Sequence, residues 1–173
     1  MNELLDLHAY HWNLLILPRA HRSRMLIAAA YLAERGPLTV LDCGRQYDAS
    51  IVARAAHGRR EIADRISIQR AFICYEAVKL VERTPTTKKP ILILDFLSTF
   101  YDENVRMNTR KFLLETSLRN FQRLSCNAGL AVSVHPPPAS PDALYLFERL
   151  QACASQILSY EMPIPNPRQA ELF

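Results

Sequence analysis

The stretch "ILILDF", Ile91 to Phe96, decides the fold of this chain of 173 residues. Four consecutive isoleucine and leucine side chains are typical of a central parallel strand that helices cover on both faces. An acidic residue, Asp95, follows this run directly. Because open parallel sheets bind ligands beyond the carboxyl ends of their strands, Asp95 lies where a functional residue is expected.

On both sides of this strand, apolar runs alternate with longer segments of helical periodicity. Strands are predicted at residues 12–17, 38–42, 66–69, 91–96 and 129–135, with a last one in "QILSYEMP", 156–163. Helices are predicted at residues 22–34, 48–56, 71–82 and 106–124, with a last one that begins at Ser140. The alternation predicts a three-layer α/β fold in which helices flank a mostly parallel central sheet.

The composition is that of an ordinary folded protein, with 49% hydrophobic and 22% charged residues. The apolar run near the start is too short to cross a bilayer, and the four cysteines form no CxxC pair. We therefore expect one domain over residues 1–173, with its core at about 12–165, reduced cysteines, a cytoplasmic location and no membrane contact. The net charge of +4 permits nucleic-acid contact without requiring it.

The first strand leads into "LLILPRAHRS", Leu14 to Ser23, where a phosphate-binding loop would follow in an ATPase. The template GxxxxGK[ST] laid on this stretch puts Arg22 in the lysine position and Ser23 in the position of the magnesium-binding hydroxyl. Ile16 and His21 stand where the two glycines belong. Glycines let consecutive backbone N–H groups wrap the phosphates, so a working cradle is not expected here.

Several stretches together resemble the core of the RecA-type recombinases, and the archaeal and eukaryotic strand-exchange branch in particular. They are "LTVLDCGRQYDASIVARAA", "RISIQRAFICYEAVKLVER", "PILILDFLSTF", "FLLETSLRNFQRLSCNAGLAVSVH" and "ACASQILSYEMP". They follow the family's succession of second strand, "RAF" helix, Walker B strand, long helix and next strand. The resemblance implies a RecA-like P-loop NTPase fold, and it gives Asp95 the place of the Walker B acid that holds Mg²⁺.

The departures from this family concern its ATPase site. Gly44 stands where the family has the glutamate that activates water, and His135 with "PPPASP" replaces a polar sensor and a long DNA-binding loop. A phosphate cradle, a metal and an oriented water each help to lower the barrier to hydrolysis. We therefore expect no ATPase activity and no bound cofactor. Arg22, Ser23 and Asp95 are the residues through which weak binding of ATP with magnesium would occur.

The segment after the Walker B strand is the region where the resembled family begins to contact single-stranded DNA. Here it reads "FYDENVRMNTRK". Phe100 and Tyr101 would stack on bases, and Arg106, Arg110 and Lys111 would neutralise phosphates. The alternative is an ordinary solvated basic helix face. The histidine pair in "HAYHW" lacks further ligands nearby, so no metal site is predicted.

Different classes of function agree with these observations. The first is a non-catalytic RecA-like accessory protein of DNA recombination or repair. It would act by binding a RecA-like paralogue or another protein partner in an oligomer, and by binding single-stranded DNA. The second is a nucleotide-dependent ATPase, or ATPase subunit, whose missing site residues a partner supplies, or a small α/β enzyme with an unrecognised pocket. A third is a regulatory subunit with no role on DNA.

Overall fold

The computed structural model describes residues 7–160 of the chain. Within this range a six-stranded sheet forms in which every neighbouring pair of strands is parallel. The strands are β1 (Trp12–Ile16), β2 (Leu38–Asp42), β3 (Ile66–Arg70), β4 (Ile91–Leu94), β5 (Leu130–Val134) and β6 (Gln156–Ser159). Their spatial order is β3-β2-β4-β5-β1-β6. The apolar strand β4 lies inside the sheet, between β2 and β5, as its continuous run of buried side chains requires.

Helices cover both faces of the sheet, which confirms the predicted three-layer α/β architecture. In the described range they are α1 (Ser23–Arg35), α2 (Ala49–Ala55), α3 (Arg60–Ala63), α4 (Cys74–Arg83), α5 (Met107–Ser125) and α6 (Pro141–Cys153). Short 3₁₀ turns, Arg19–His21 and Phe96–Tyr101, follow β1 and β4. Helices α1 to α3 pack on one face and α4 to α6 on the other, each set over its own hydrophobic cluster.

The first two helices show how the sequence produces these elements. Helix α1 buries one stripe of side chains against the sheet: Met25, Leu26, Ala28, Ala29, Ala30, Leu32 and Ala33. It stops at Gly36, and Pro37 follows. Helix α2 is fixed at its start, where the side chain of Asp48 accepts a 2.8 Å hydrogen bond from the N–H of Ser50.

Aromatic side chains fill the core between the sheet and α5. Trp12 of β1 meets Phe121 of α5 edge to face, with ring centroids 5.4 Å apart. Phe96 also packs on Phe121, at 5.0 Å. All three rings are almost completely buried. These contacts add to the burial of apolar area, so α5 is held against both β1 and the segment that follows β4.

The predicted strands and helices are confirmed to within a few residues, with three differences. The strand expected to continue to Phe96 ends at Leu94, because Asp95 takes a positive φ of 48° and the chain enters a 3₁₀ turn. The sequence does not predict the short helix α3. The last strand ends at Ser159, and residues 161–163 of its predicted range lie outside the described residues.

Cys43, Cys74, Cys126 and Cys153 are free, and the first two are buried. Between residues 7 and 160, no helix is long and apolar enough to span a membrane.

Candidate functional site

The carboxyl ends of β1, β4 and β5 meet at the centre of one edge of the sheet. Because β5 lies between β4 and β1, the residues that follow the three strands become neighbours. They are Leu17 after β1, Asp95 after β4 and His135 after β5. The chain leaves β1 toward the face that α1 covers and leaves β4 toward the face that α5 covers. Open parallel sheets bind ligands at such a place, so this edge is the candidate site.

Asp95 and His135 form a largely buried pair at this edge. The imidazole Nε2 of His135 lies 3.5 Å from Oδ2 of Asp95. The backbone N–H of His135 donates a 3.4 Å hydrogen bond to Oδ1 of Asp95. On the other side of the ring, Nδ1 lies 2.6 Å from the carbonyl oxygen of Leu17. One side chain therefore joins the ends of β1, β4 and β5.

The partner of Nδ1 fixes the tautomer of the His135 ring. A carbonyl oxygen only accepts, so Nδ1 carries a hydrogen, and Nε2 faces Oδ2 of Asp95. Burial raises the pKa of Asp95, and the positive charges of His135 and Arg19 offset this only in part. The Asp95 carboxyl therefore holds a proton more tightly than an exposed aspartate does.

The backbone of Asp95 is fixed as firmly as its side chain. Its left-handed conformation is one that aspartate adopts more readily than most residues. Its N–H donates a 3.0 Å hydrogen bond to the hydroxyl of Ser133 on β5, and its carbonyl accepts one of 2.9 Å from the hydroxyl of Ser98. These bonds direct the Asp95 carboxylate toward His135.

Gly44 lies directly against the Asp95 side chain. A Cβ atom added at Gly44 would lie 2.5 Å from Oδ2 of Asp95 and would contact its Cβ even more closely. Protein interiors are close-packed, so a larger residue at position 44 requires Asp95 to move. The glutamate that the resemblance places at position 44 therefore does not fit beside Asp95 in this arrangement. The absence of a side chain at Gly44 leaves the room that the inward-turned side chain of Asp95 occupies.

The loop after β1 is a short turn led by a proline. The N–H of His21 bonds to the carbonyl of Pro18 at 2.8 Å, and the N–H of Arg22 bonds to the carbonyl of Arg19 at 3.3 Å. Two of the amides that a phosphate-binding loop would present are thus bonded within the turn. Arg22 is exposed at the start of α1, and Ser23 is the first residue of that helix.

Asp42 holds the loop that contains Gly44. It is fully buried at the end of β2. Its carboxylate accepts hydrogen bonds from the N–H groups of Gln46, at 2.8 Å, and Tyr47, at 3.1 Å. The guanidinium of Arg70 on β3 lies 3.3 Å away. The acid of the "VLD" sequence therefore has a structural role in this loop.

Cys43 is the buried thiol next to the Asp95 pair. Burial raises its pKa above the ordinary range, and the negative charges of Asp42 and Asp95 raise it further. A thiol that stays protonated is a weak nucleophile. Cys43 therefore lacks the lowered pKa of an activated cysteine.

Two of the residues predicted to bind DNA are buried, which changes how they are interpreted. Phe100 has no exposed surface and packs on Phe96 with centroids 4.9 Å apart. Arg110 is 3% exposed. Its guanidinium donates to the carbonyl of Phe100 at 3.3 Å and to the carboxylate of Asp142 on α6 at 2.7 Å. In this conformation both residues contribute to packing, and neither is accessible to a nucleic acid.

The other three predicted DNA-binding residues reach the surface to different degrees. Arg106 is exposed at the start of α5. The ammonium group of Lys111 lies 4.2 Å from the ring centroid of Tyr145 on α6. Tyr101 is half-buried, and its hydroxyl has no hydrogen-bond partner. Burial raises the pKa of Tyr101, and the negative charge of Asp95 adds to this effect.

Sequence reasoning assigned Asp95 a place, but it named Gly44 and His135 only as departures from the resembled ATPase site and did not predict that they contact Asp95. His135 lies 40 positions away along the chain, so nothing local in the sequence links it to Asp95. The available signal was its place directly after a buried strand, next to the strand that ends before Asp95. The same kind of signal applied to Gly44, which follows β2, the other neighbour of β4, but its close contact with Asp95 depends on the positive φ of Asp95.

The histidine pair of "HAYHW" lies elsewhere. His8 and His11 line a cavity of about 280 Å³ together with Asn13, Ser155 and Gln156. Within residues 7–160, no three histidine, cysteine or acidic side chains are grouped so as to hold a metal ion.

The parallel sheet, its strand order and the two helical layers define a RecA-like α/β fold. Among solved structures, the chain is similar to one described as "Crystal structure of the RadB recombinase", with a TM-score of 0.67 and 11% sequence identity. The match covers 95% of this chain and 81% of that one. No family model matches the sequence, and no curated protein sequence matches it. At this low identity the likeness establishes the fold alone.

Proposed function

We propose that this chain is a non-catalytic RecA-like accessory protein of DNA recombination or repair, which acts by binding a protein partner. The observation that supports the proposal most is the arrangement at the carboxyl edge. Asp95, the residue in the Walker B position, is paired with His135 instead of being free to hold Mg²⁺. The recombination role comes from the RecA-like fold that this chain shares with a recombinase.

Three features oppose nucleotide hydrolysis at this edge. The amides of His21 and Arg22 are bonded within their turn, the space at Gly44 is filled, and Asp95 is held by His135. A nucleotide would have to break these contacts before it gained any of its own. Binding energy used in this way is not available to lower the barrier to hydrolysis. A steady-state ATPase assay is expected to give no turnover above the buffer blank, with or without single-stranded DNA.

An exposed apolar surface on the edge strand supports binding to a protein partner. We define the β3 patch as Ile68, Phe72, Ile73 and Tyr75. All four side chains are more than a third exposed, and Phe72 is 56% exposed. Strand β3 pairs only with β2 among the described strands, so its outer backbone groups are also available. An exposed strand edge beside apolar side chains is a typical protein-binding surface.

The β3 patch is tested by capturing partners from source cells with tagged variants. The variant Ile68→Ser/Phe72→Ser is expected to lose the RecA-like or other partner that the unaltered chain retains. Phe112→Ser is the control, because Phe112 is 65% exposed and lies on α5, outside the β3 patch. Equal capture by all three proteins would contradict the use of the β3 patch. Sedimentation of the purified chain distinguishes a second copy from a different partner.

We also propose that Tyr101, Arg106 and Lys111 contact single-stranded DNA. Arg106 is exposed, and Lys111 lies above the Tyr145 ring, so both cations are near the surface of the same helix start. The anisotropy of a labelled oligonucleotide should show binding that weakens with added salt. Arg106→Glu/Lys111→Glu should weaken it at least tenfold, whereas Arg119→Glu, on the same helix, should not. Equal affinity for all variants would exclude this surface.

The alternative function is an ATPase subunit that a partner completes. It is favoured by one observation, namely that Ser23 and Asp95 keep the residue types of the metal-binding positions. In that case ATP turnover would appear when the captured partner is added, and Ser23→Ala would abolish it.

A further inference from the structure

A groove crosses the amino ends of β4, β2 and β3, at the end of the sheet opposite to Asp95 and His135. Its first half is a cavity of about 590 Å³, and its second half is one of about 490 Å³. Pro37, Thr87 and Lys89 line both halves, so the two are direct neighbours. Each volume lies within the range of about 300–1,000 Å³ that is typical of ligand sites. We call this feature the amino-end groove.

The two halves of the amino-end groove differ in chemistry. The first half has an apolar lining of Leu7, Leu32, Pro37 and Pro90. The second half presents hydroxyl and amide groups on β2, on β3 and after α4: Thr39, Ser67, Gln69 and Thr87. An apolar side chain suits the first half, and the polar backbone of an extended peptide suits the second.

The amino-end groove carries an excess of positive charge. The basic side chains of Arg65, Lys88 and Lys89 line it, against one acidic side chain, that of Asp64. Lys88 and Lys89 are exposed, and no carboxylate of the described residues pairs with either ammonium group. Such a concentration of one charge attracts ligands of the opposite sign.

We infer that the amino-end groove binds an acidic segment of a protein partner, in which carboxylates alternate with leucine-sized side chains. Apolar side chains would occupy the cavity beside Leu32, and the carboxylates would lie near Lys88 and Lys89. The groove spans two strand spacings, about 10 Å, which about three extended residues cover. This inference goes beyond the proposed function, because it requires neither the β3 patch nor the carboxyl edge.

The lining favours a peptide over a nucleic acid. Proteins that bind single strands combine cations with aromatic side chains on which the bases stack. None of the residues that line either half is aromatic. Leucine and proline instead form the first half, and they suit aliphatic side chains.

The test measures binding of a fluorescein-labelled octapeptide of alternating aspartate and leucine to the full chain by anisotropy. We expect saturable binding that weakens with added salt. Lys88→Glu/Lys89→Glu should lower the affinity at least tenfold. The matched control is Lys79→Glu/Arg83→Glu, an equal charge reversal on exposed residues of α4 outside the groove, and it should retain the affinity within twofold.

A second variant tests the apolar half without changing charge. A Cβ atom at Gly36 has no neighbour within 4 Å, so Gly36→Phe should fill the cavity, leave the circular dichroism spectrum unchanged and lower the affinity at least tenfold. Gly36→Ala should bind normally.

The inference would be overturned by no binding, by an equal loss in the α4 control, by equal binding of an octapeptide of alternating lysine and leucine, or by equal binding of an oligomer of eight deoxythymidines. A further test asks whether a synthetic peptide of residues 1–6 displaces the labelled octapeptide more strongly than the unlabelled octapeptide does. That result would assign the groove to a segment of this chain and would also overturn the inference. The ATPase and partner-capture experiments do not depend on these residues, so failure here leaves the proposed function intact.

Discussion

Asp95 combines a positive φ, a buried carboxylate and a contact with Gly44. The positive φ turns its side chain into the space beside Gly44, where His135 supplies the partner. A buried carboxylate needs such a partner, because burial without one disfavours its charged form. At the scale of single residues, His135 occupies the space beside the Asp95 carboxylate, which a metal ion bound to that carboxylate would need.

Gly44→Ala is expected to destabilise the protein by about 1–3 kcal/mol, the usual cost of forcing an extra group into packed surroundings. The free energy of unfolding in urea measures this. Gly36→Ala is the control, because its new methyl group meets nothing. It should be neutral or stabilise the fold by less than about 1 kcal/mol.

The cause of this loss can be checked with a double variant. Asp95→Gly removes the side chain that the new methyl group contacts, so adding Gly44→Ala to Asp95→Gly should cost less than adding it to the natural chain. Equal costs in the two backgrounds would show that the Gly44–Asp95 contact is not responsible.

Asp95→Asn is expected to change how stability depends on pH. Burial raises the pKa of Asp95 above its ordinary value of 3.8. The Asp95 carboxyl therefore holds its proton more tightly in the folded state than in the unfolded chain. The stabilisation that this tighter proton binding gives is complete below pH 3.8 and is lost as the pH rises through the raised pKa of Asp95. The stability of the natural chain minus that of Asp95→Asn should therefore fall as pH increases above 3.8.

Urea unfolding of both proteins between about pH 3 and pH 7 measures this difference. Carboxylates that do not interact with Asp95 affect both proteins equally and cancel. A difference that grows with pH would mean that the charge of His135 outweighs burial, and that the pKa of Asp95 is lowered instead.

At the scale of elements, Arg123 of α5 fixes the end of α4. Its guanidinium donates to the carbonyl oxygens of Val81, Glu82 and Thr84 and to the hydroxyl of Thr86, at 2.8–3.2 Å. The last carbonyls of a helix have no partner within the helix. One side chain thus satisfies several of them and joins α5 to α4 and to the loop that leads to β4.

Arg123→Ala should lower the free energy of unfolding by about 1–3 kcal/mol and increase hydrogen exchange at the end of α4. Arg123→Lys should restore little, because an ammonium group lacks the planar fork that spans several carbonyls. Arg119→Ala, which removes an exposed arginine from the same helix, should change stability by less than about 0.5 kcal/mol. An effect of Arg123→Ala no larger than that of Arg119→Ala would contradict this role.

The elements were predictable from sequence where periodicity and burial agree. The apolar run Ile91–Leu94 and the stripe of α1 each indicate one type of element, and both are confirmed. The turn at Asp95 was not predictable, because it depends on hydrogen bonds from Ser98 and to Ser133 that form only in the folded chain. Arg110 was misjudged for a similar reason: the acid that accompanies its burial, Asp142, lies on another helix.

At the scale of the whole molecule, the features of the fold lie at separate places. The carboxyl edge carries the Asp95 and His135 pair, the amino end carries the basic groove, and β3 presents an exposed apolar edge. The first is occupied by the protein's own side chains, whereas the other two are open to partners. This distribution is the physical basis for proposing a binding protein instead of an ATPase.

The most direct test of this account is an amide NMR titration of the intact chain with ATP and magnesium. We expect the backbone amide signals of residues 19–23, Asp95 and His135 to remain where they are in buffer with magnesium alone. Saturable, magnesium-dependent shifts of these signals at micromolar ATP, lost in Ser23→Ala, would contradict the account and would show that the edge is a working nucleotide site.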